Sequence, residues 1–229
     1  MLDAQRQIPV VVGSRSPRRL ELLRTIVAPE RLVALPPQNA EEPGFEDIAT
    51  LADFEVRILE IVEVKQQDVV SQIQRGAESA AVASGCIVIC ADTTVVVQDA
   101  DGRPLALGQP PDGDRWPETV RRWFHAYLAG KTHTVLSGVS ATLLDATGQV
   151  RQTATRTCST RVTMREDVEQ LLDWYIATGE PIGKAGGYAI QGAGSVFITK
   201  FEGSFSNVVG LPLEETMDLL SELRLDPQL

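Results

Sequence analysis

Long apolar runs and basic residues are both scarce in this chain of 229 residues. No stretch approaches the roughly 20 apolar residues of a membrane-spanning helix, and residues 1–9 lack the charged-then-apolar layout of a signal peptide. We therefore expect a cytoplasmic protein with no membrane partner. Lysine and arginine together number 21 against 31 acidic residues, a formal net charge of −10. Because broad nucleic-acid binding needs a basic surface, that charge argues against a nucleic-acid partner.

Cysteine and histidine are also few. The three cysteines, Cys86, Cys90 and Cys158, lack the spacing of a zinc site, and only two histidines could join them. We therefore do not expect a structural metal site built from cysteine and histidine. Cys86 and Cys90 lie in an apolar pattern that indicates small buried side chains, and the cysteine usage favours a reducing compartment.

The rest of the composition is that of a globular protein. Hydrophobic residues make up 43% of the chain, which is long enough to bury a sizeable core. The length alone allows one large domain or two small ones. Since no repeat, low-complexity segment or Pro/Ser-rich linker interrupts it, we predict a single domain with two lobes over residues 1–229.

The first informative segment, residues 8–23, predicts a strand, a tight turn and a helix. Gly13 ends the strand, and Ser16 precedes Pro17 as the cap and first residue of the helix. Two hydroxyls and three arginines crowd this turn, namely Ser14, Ser16, Arg15, Arg18 and Arg19. Because arginine matches phosphate oxygens and free N–H groups converge there, we interpret the turn as a phosphate cradle. Taken alone, it also fits an ordinary capped helix with solvated arginines.

The second informative segment is the apolar run over residues 86–91, which is typical of a central strand buried on both faces. We expect this strand to deliver Asp92 and Thr93 at its end. A buried carboxylate there needs a charged or metal partner, but a turn or helix-capping aspartate fits the sequence equally. Glu42 in an acidic loop and Lys65 in a predicted helix over 53–74 also fit simple solvent exposure.

Further along, the patterns predict helices over 115–129 and 166–177 and a last helix that ends at residue 223. Two strands over 133–143 and 150–163 predict a hairpin that flanks the sheet. The glycine-rich segment 183–194 offers a cation, a ring and an amide, which are Lys184, Tyr188 and Gln191. A flexible loop is the simpler interpretation of that segment. Asn207 could read a ligand or hold a turn.

Together these motifs resemble the Maf (Maf/YhdE-like) proteins, nucleoside triphosphate pyrophosphatases first named for an association with septum formation. The resemblance covers nearly the whole chain, and the joint occurrence of the motifs in family order makes it specific. It rests on residues 14–19, Glu42, Lys65, residues 91–93, 184–186, 190–192 and 207–212. The resemblance is to members that prefer dTTP and UTP, which implies that Arg18, Thr93 and Gln191 are the specificity positions.

The resemblance implies a mixed α/β fold in which helices flank an elongated mixed sheet and two lobes enclose a cleft, similar to inosine-triphosphate pyrophosphatases and often a homodimer. It implies that water attacks the α-phosphate of a nucleotide, with Mg²⁺ (or Mn²⁺) held by Glu42 and Asp92. Asp92 would also orient or deprotonate the water, and Lys65 completes the catalytic group. The implied substrate-binding residues are Ser14, Ser16, Arg18, Arg19, Thr93, Gln109, Lys184, Tyr188, Gln191 and Asn207.

One position departs from the family pattern. Gln109 stands where the family typically has a phosphate-binding lysine. Arg103 or Arg115 could supply the missing charge. The departure also leaves open a second function, a nucleotide-sensing regulator of septum formation or cell division with little catalysis. The two retained carboxylates argue against that function, because a sensor has less need of paired metal ligands.

Overall fold

The computed structural model describes residues 8–38, 42–46, 48–78, 80 and 82–223. Seven strands form one mixed sheet, as the predicted α/β fold requires. They are β1 (Val10–Gly13), β2 (Leu32–Ala34), β3 (Cys86–Gln98), β4 (Pro104–Leu107), β5 (Thr132–Leu144), β6 (Val150–Met164) and β7 (Ile198–Glu202). Their order is β2-β1-β3-β5-β6-β7, with β4 paired to β3. Strand β1 is parallel to β2 and β3, and the other pairs are antiparallel.

Helices cover both faces of the sheet. They are α1 (Pro17–Leu23), α2 (Leu51–Gln74), α3 (Trp116–Trp123), α4 (Glu169–Ala177), α5 (Phe205–Val209) and α6 (Leu213–Glu222). Alternate residues of β1 point to opposite faces, so Val10 and Val12 pack in the same cluster as residues of α1 and α6, whereas Val11 packs with residues of α2. A third cluster around Tyr175 joins β3 and β5 to α3 and α4. Within the described ranges no helix is long and apolar enough to cross a membrane.

The sequence led us to expect that strand β3 would end at Asp92, and this prediction is wrong. The strand runs on to Gln98, and Asp92 lies within it, opposite Gly138 of β5. The β3–β5 ladder continues past the carboxylate as far as Val96, so pairing with a long neighbour overrides the local polar interruption. Asp92 is therefore on a rigid strand rather than in a turn.

The predicted hairpin of β5 and β6 is confirmed, but its predicted place at the flank of the sheet is wrong. Strand β5 pairs with β3 and so lies in the middle, while β7, which we did not predict, adds to the outer edge of β6. The predicted helix 115–129 changes to a π-helical turn at Phe124–Leu128. The predicted last helix is α6, and the separate short helix α5 ends before Gly210, which has a φ of 131° that favours glycine.

Candidate active site

A cleft of about 1100 Å³ opens where the β1–α1 turn, the middle of β3 and the glycine-rich segment meet. The predicted catalytic residues and most of the predicted substrate-binding residues line it, although the chain segments that carry them are far apart in sequence. The predicted residues that line it are Ser14, Ser16, Arg18, Arg19, Glu42, Lys65, Asp92, Thr93, Gln109, Lys184, Tyr188 and Gln191. The fold thus brings twelve of the thirteen together, and Asn207 lies outside.

Lys65 lies between the two predicted metal-binding carboxylates. Its Nζ is 2.5 Å from Asp92 Oδ1 and 3.2 Å from Glu42 Oε2. The solvent-exposed interpretation of Lys65 is wrong, because only 11% of its side chain is exposed. The neighbouring Gln66 fixes this part of α2 on the sheet, since its amide donates to the Val88 carbonyl and accepts from Ser140 Oγ. One ammonium therefore holds both carboxylates at the cleft.

Arg19 connects three parts of the site through its guanidinium. Its Nε donates to the Gly210 carbonyl at 2.8 Å, and its other nitrogens reach Ser14 Oγ and Thr93 Oγ1, both at 3.3 Å. One of them lies 3.9 Å from Asp92 Oδ1. Thr93 Oγ1 also bonds with Ser137 Oγ at 2.8 Å. Thr93 lines the cleft, yet its hydroxyl is engaged by protein groups.

Arg18 and Lys184 approach one another from opposite ends of the chain. Burial lowers the pKa of Lys184, and the nearby charge of Arg18 lowers this pKa further. Lys184 Nζ donates to the Glu180 carbonyl at 2.5 Å, whereas no described residue accepts a hydrogen bond from the Arg18 guanidinium. Two partly buried cations repel each other unless an anion lies near both, so this pair favours a phosphate ligand.

The phenol of Tyr188 does not point freely into the cleft. Its hydroxyl lies 2.7 Å from His133 Nε2, and the side chain is 5% exposed. Burial lowers the pKa of His133 to about 4, so the imidazole is neutral at pH 7 and fixes the tyrosine hydroxyl. Tyr188 therefore lines the cleft with a hydroxyl that is already bonded to the protein.

Because His133 is buried, we predict that the protein loses stability in acid. His133 has an ordinary pKa of 6.5 when unfolded and about 4 when folded, so the unfolded chain binds the proton more readily. Its contribution is complete above pH 6.5 and is lost as the pH falls towards 4, by about 3 kcal/mol in all. In urea unfolding from pH 7 to pH 4, we expect the stability advantage of the wild type over His133→Gln to shrink by that amount. A constant difference would contradict this result.

Asn207 holds a turn rather than facing the cleft. Its Nδ2 donates to the carbonyls of Val135 and Cys158 and to Thr160 Oγ1 at 3.0–3.3 Å, and the residue is fully buried. It therefore fixes α5 against β5 and β6. Of the two roles that the sequence left open, the contacts favour the structural one.

Gln109 lines the cleft, but the two arginines near it in sequence do not. Arg115 lines a separate surface groove with Arg121 and Arg122, and Arg103 is exposed in the turn between β3 and β4. The Gly108 carbonyl accepts from Gly186 N–H at 3.0 Å, which ties this loop to the glycine-rich segment. Within the described residues, neither arginine replaces the charge that the family lysine would bring.

The model of the Maf-like protein family matches residues 9–223. The chain belongs to the Maf-like family. It is 36% identical to the dTTP/UTP pyrophosphatase of Bartonella quintana over 94% of this chain and 87% of that protein. It is 35% identical to the dTTP/UTP pyrophosphatase of Dictyoglomus thermophilum over 93% of this chain and 95% of that one. The Ham1 protein of Staphylococcus aureus superposes with a TM-score of 0.47 at 13% identity over 83% of this chain and 79% of that chain.

The carboxylates of this Maf-like chain suit a hard divalent cation. Asp92 and Glu42 each keep an oxygen that is not bonded to Lys65, and carboxylate oxygens are the ligands that Mg²⁺ takes from proteins. The described residues include no group of three or more His, Cys, Asp or Glu arranged for a metal. Since Mg²⁺ commonly uses one or two carboxylates together with substrate phosphates, two ligands are sufficient.

Some residues that shape this site carried no recognisable signal in the sequence. Ser137 and His133 lie on β5, and Tyr175 and Glu180 support the glycine-rich segment. Each acts on another side chain or on the backbone. Motif spacing does not reveal such residues, because their partners are distant in sequence.

Proposed function

We propose that this Maf-like protein hydrolyses dTTP and UTP to the nucleoside monophosphate and pyrophosphate. The observation that supports the proposal most is Lys65, which holds Asp92 and Glu42 together in a cleft that also presents Arg18 and Lys184. Carboxylates for water and metal, beside cations for phosphate, are what phosphoryl transfer requires. Relatives at 35–36% identity that span over nine-tenths of the chain are named dTTP/UTP pyrophosphatases.

The phosphate chain is bound by cations from both ends of the sequence. Arg18 donates from α1 and Lys184 from the glycine-rich segment, where their proximity already favours an anion. Ser16 adds a hydroxyl, since it caps α1 without using its side chain for the cap. Arg19 has three hydrogen bonds to protein groups. It therefore positions the turn and keeps the remaining N–H groups for phosphate.

Asp92 orients the attacking water and accepts its proton, and Lys65 holds that carboxylate in place. Mg²⁺ (or Mn²⁺), held by Asp92 and Glu42, would neutralise phosphate charge and make the water more acidic. Lys65 also lies where an ammonium can stabilise charge on the phosphate oxygens during attack. The catalytic group is therefore Asp92, Glu42 and Lys65, each with a separate task.

The base is read by Gln191 and covered by Tyr188. Because the Tyr188 hydroxyl is fixed by His133, the ring contributes apolar contact, and the Gln191 amide is the group that can distinguish one base edge from another. Thr93 supports the site through Arg19 and Ser137. It therefore acts on specificity indirectly.

Gln191→Ala is expected to reduce base preference more than nucleotide binding in general. An amide paired to the correct base discriminates by roughly 1–3 kcal/mol, because a wrong base leaves it unpaired. Measuring kcat/KM for dTTP, UTP, dCTP and dGTP should show the rates converging. A fall by one common factor for all four nucleotides would show that Gln191 does not read the base.

Gln109→Lys is expected to raise kcat/KM about tenfold, since a charge-assisted hydrogen bond to phosphate is about twice as strong as a neutral one. As Arg103 and Arg115 do not line the cleft, adding Arg103→Ala or Arg115→Ala to this variant should leave the gain unchanged. Gln98→Lys, at the exposed end of β3, supplies the matched control charge. A lysine variant that is no faster in any of these backgrounds would show that Gln109 is not a phosphate contact.

The reaction is tested by its products and by the position of a label. With Mg²⁺ and dTTP in ¹⁸O-water, attack on the α-phosphate gives labelled dTMP and unlabelled pyrophosphate. Appearance of dTDP and orthophosphate would exclude the proposed cleavage. Labelled pyrophosphate with unlabelled dTMP would show attack on the β-phosphate instead.

Three further parts of the proposal rest on the sequence. The family resemblance implies a homodimer, the composition and cysteine usage indicate a cytoplasmic location, and the absence of a linker favours a single domain of two lobes over residues 1–229. Light scattering on the purified chain tests the homodimer, which should give twice the mass of 24.9 kDa. The nucleotide-sensing alternative is not favoured, because the two relatives described above are named as enzymes.

A further inference from the structure

Glu180 binds both ends of the glycine-rich segment 183–194. Its side-chain oxygens accept hydrogen bonds from Ala193 N–H at 2.7 Å and from Gly194 N–H at 2.8 Å. Its main-chain carbonyl accepts from Lys184 Nζ at 2.5 Å. A single residue thus fixes the start of the segment through its backbone and the end through its carboxylate.

The space around this carboxylate is too small for other side chains. A Cβ atom at Gly192 would lie 2.1 Å from Glu180 Oε2, and one at Gly194 would lie 2.9 Å from Ala189 N. These distances are far below van der Waals contact. Gly192 therefore leaves room for the Glu180 carboxylate, and Gly194 allows the close approach of the Ala189 backbone.

Tyr175 secures the carboxylate from the core. Its hydroxyl is 3.2 Å from Glu180 Oε1 and 3.2 Å from the Gly187 carbonyl. Burial, and then the adjacent Glu180 charge, raise the pKa of Tyr175, so the hydroxyl stays protonated and can donate. The ring is fully buried and packs edge-on against Phe197 at 5.2 Å between centroids.

We propose that Glu180, held by Tyr175, is a positioning residue that sets the base specificity of the site. Between the two fixed ends of the segment lie Tyr188 and Gln191, which line the cleft. Gln191 comes just before the tightly packed Gly192, so the carboxylate determines where the amide lies. This proposal rests on the proposed function, in which those two residues contact the base.

Glu180→Gln is the direct test, because it keeps the size of the side chain while it replaces one accepting oxygen with an NH₂ group that faces a backbone N–H. We expect KM for dTTP to rise roughly tenfold, and the preference for dTTP over dCTP to fall by a similar factor. Inhibition by inorganic tripolyphosphate, which has no base, should change by less than about twofold. The substitution keeps the main-chain carbonyl that holds Lys184, and Arg18 and Arg19 lie outside the segment.

Tyr175→Phe should also raise KM for dTTP and lower the preference for dTTP over dCTP, each by a smaller factor, because both backbone hydrogen bonds to Glu180 remain. Glu166→Gln is the matched control. It makes the same chemical change at an exposed carboxylate before α4, and it should leave every constant unchanged. If Glu180 only stabilised the fold, Glu180→Gln would lower the fraction of active protein. The kcat values for dTTP and dCTP would then fall by the same factor, and the preference for dTTP would not change.

Hydrogen exchange separates this proposal from the proposed function. In the protein without nucleotide, Glu180→Gln should speed exchange at Ala193 and Gly194 and leave the β5 amides protected. Calorimetry of dTTP and dCTP binding then measures specificity even if the wild type hydrolyses neither nucleotide. Unchanged exchange at Ala193 and Gly194, an unchanged dTTP/dCTP ratio, or an equal loss of tripolyphosphate affinity would overturn the proposal.

Discussion

Asp92→Asn is expected to lower kcat for dTTP hydrolysis roughly 10²- to 10⁴-fold, the usual contribution of a group that accepts a proton in the transition state. Asparagine keeps the shape of aspartate but cannot accept the proton of the water. It also removes the negative charge that pairs with Lys65 and Arg19. Because Asp92 lies inside β3, whose ladder hydrogen bonds come from the backbone, we expect the variant to fold. Steady-state kinetics measures kcat, and a thermal melt of the same preparation measures whether the variant is folded.

Asp112→Asn is the matched control, since it makes the same change at an exposed loop residue outside the cleft. It should keep full activity. If Asp92→Asn melts like the wild type and also keeps most of its activity, Asp92 has no part in proton transfer or metal binding. The single-turnover rate on dTTP should fall by the same factor as kcat, because the lost step is chemistry rather than product release.

Lys65→Met is expected to lower kcat/KM roughly 10²- to 10³-fold, as removal of one preorganised charge-stabilising donor does. Methionine fills most of the volume of the lysine stem but leaves Asp92 and Glu42 without the ammonium between them. The two carboxylates then repel each other at a largely buried position, since the wild-type Lys65 side chain between them is only 11% exposed. We therefore expect the two carboxylates to separate and the catalytic geometry to be lost.

Lys65→Arg distinguishes charge from position, because it keeps the positive charge while changing the shape of the group. It should recover part of the activity. Lys131→Met, at an exposed position outside the cleft, is the control for loss of one lysine. Near-normal kcat/KM for Lys65→Met, measured at saturating Mg²⁺, would be inconsistent with the role of Lys65 in catalysis.

Local patterns in the sequence were sufficient to predict most of the framework. The β-branched run and the Gly-Ser-x-Ser-Pro turn predicted β1 and α1, and the helical spacing of apolar residues predicted α2 within two residues of its observed start at Leu51. These features depend on neighbours within one or two turns of the chain. The family resemblance also named twelve of the residues that line the cleft, because the family motifs lie next to these elements.

Sequence patterns failed where a distant strand changed the local preference. Asp92 follows Ala91 and favours a break in the strand, yet β3 continues because β5 supplies a hydrogen-bonding partner as far as Val96. The same pairing moves β5 from the edge to the middle of the sheet. Pairing partners that lie tens of residues away leave no mark on local hydrophobic periodicity.

The amino-acid sequence was sufficient to predict most of the strands and helices and twelve of the residues at the cleft. Which atoms these residues contact depends on the folded chain. Lys65 and Asp92 are 27 positions apart, and Asn207 and Val135 are 72 positions apart, so their contacts exist only in the folded chain. Those contacts make Lys65 a buried counter-ion, Asn207 a structural residue, and Glu180 the residue that fixes the glycine-rich segment. A side chain's chemistry is set by its type, but its task depends on which atoms folding places beside it.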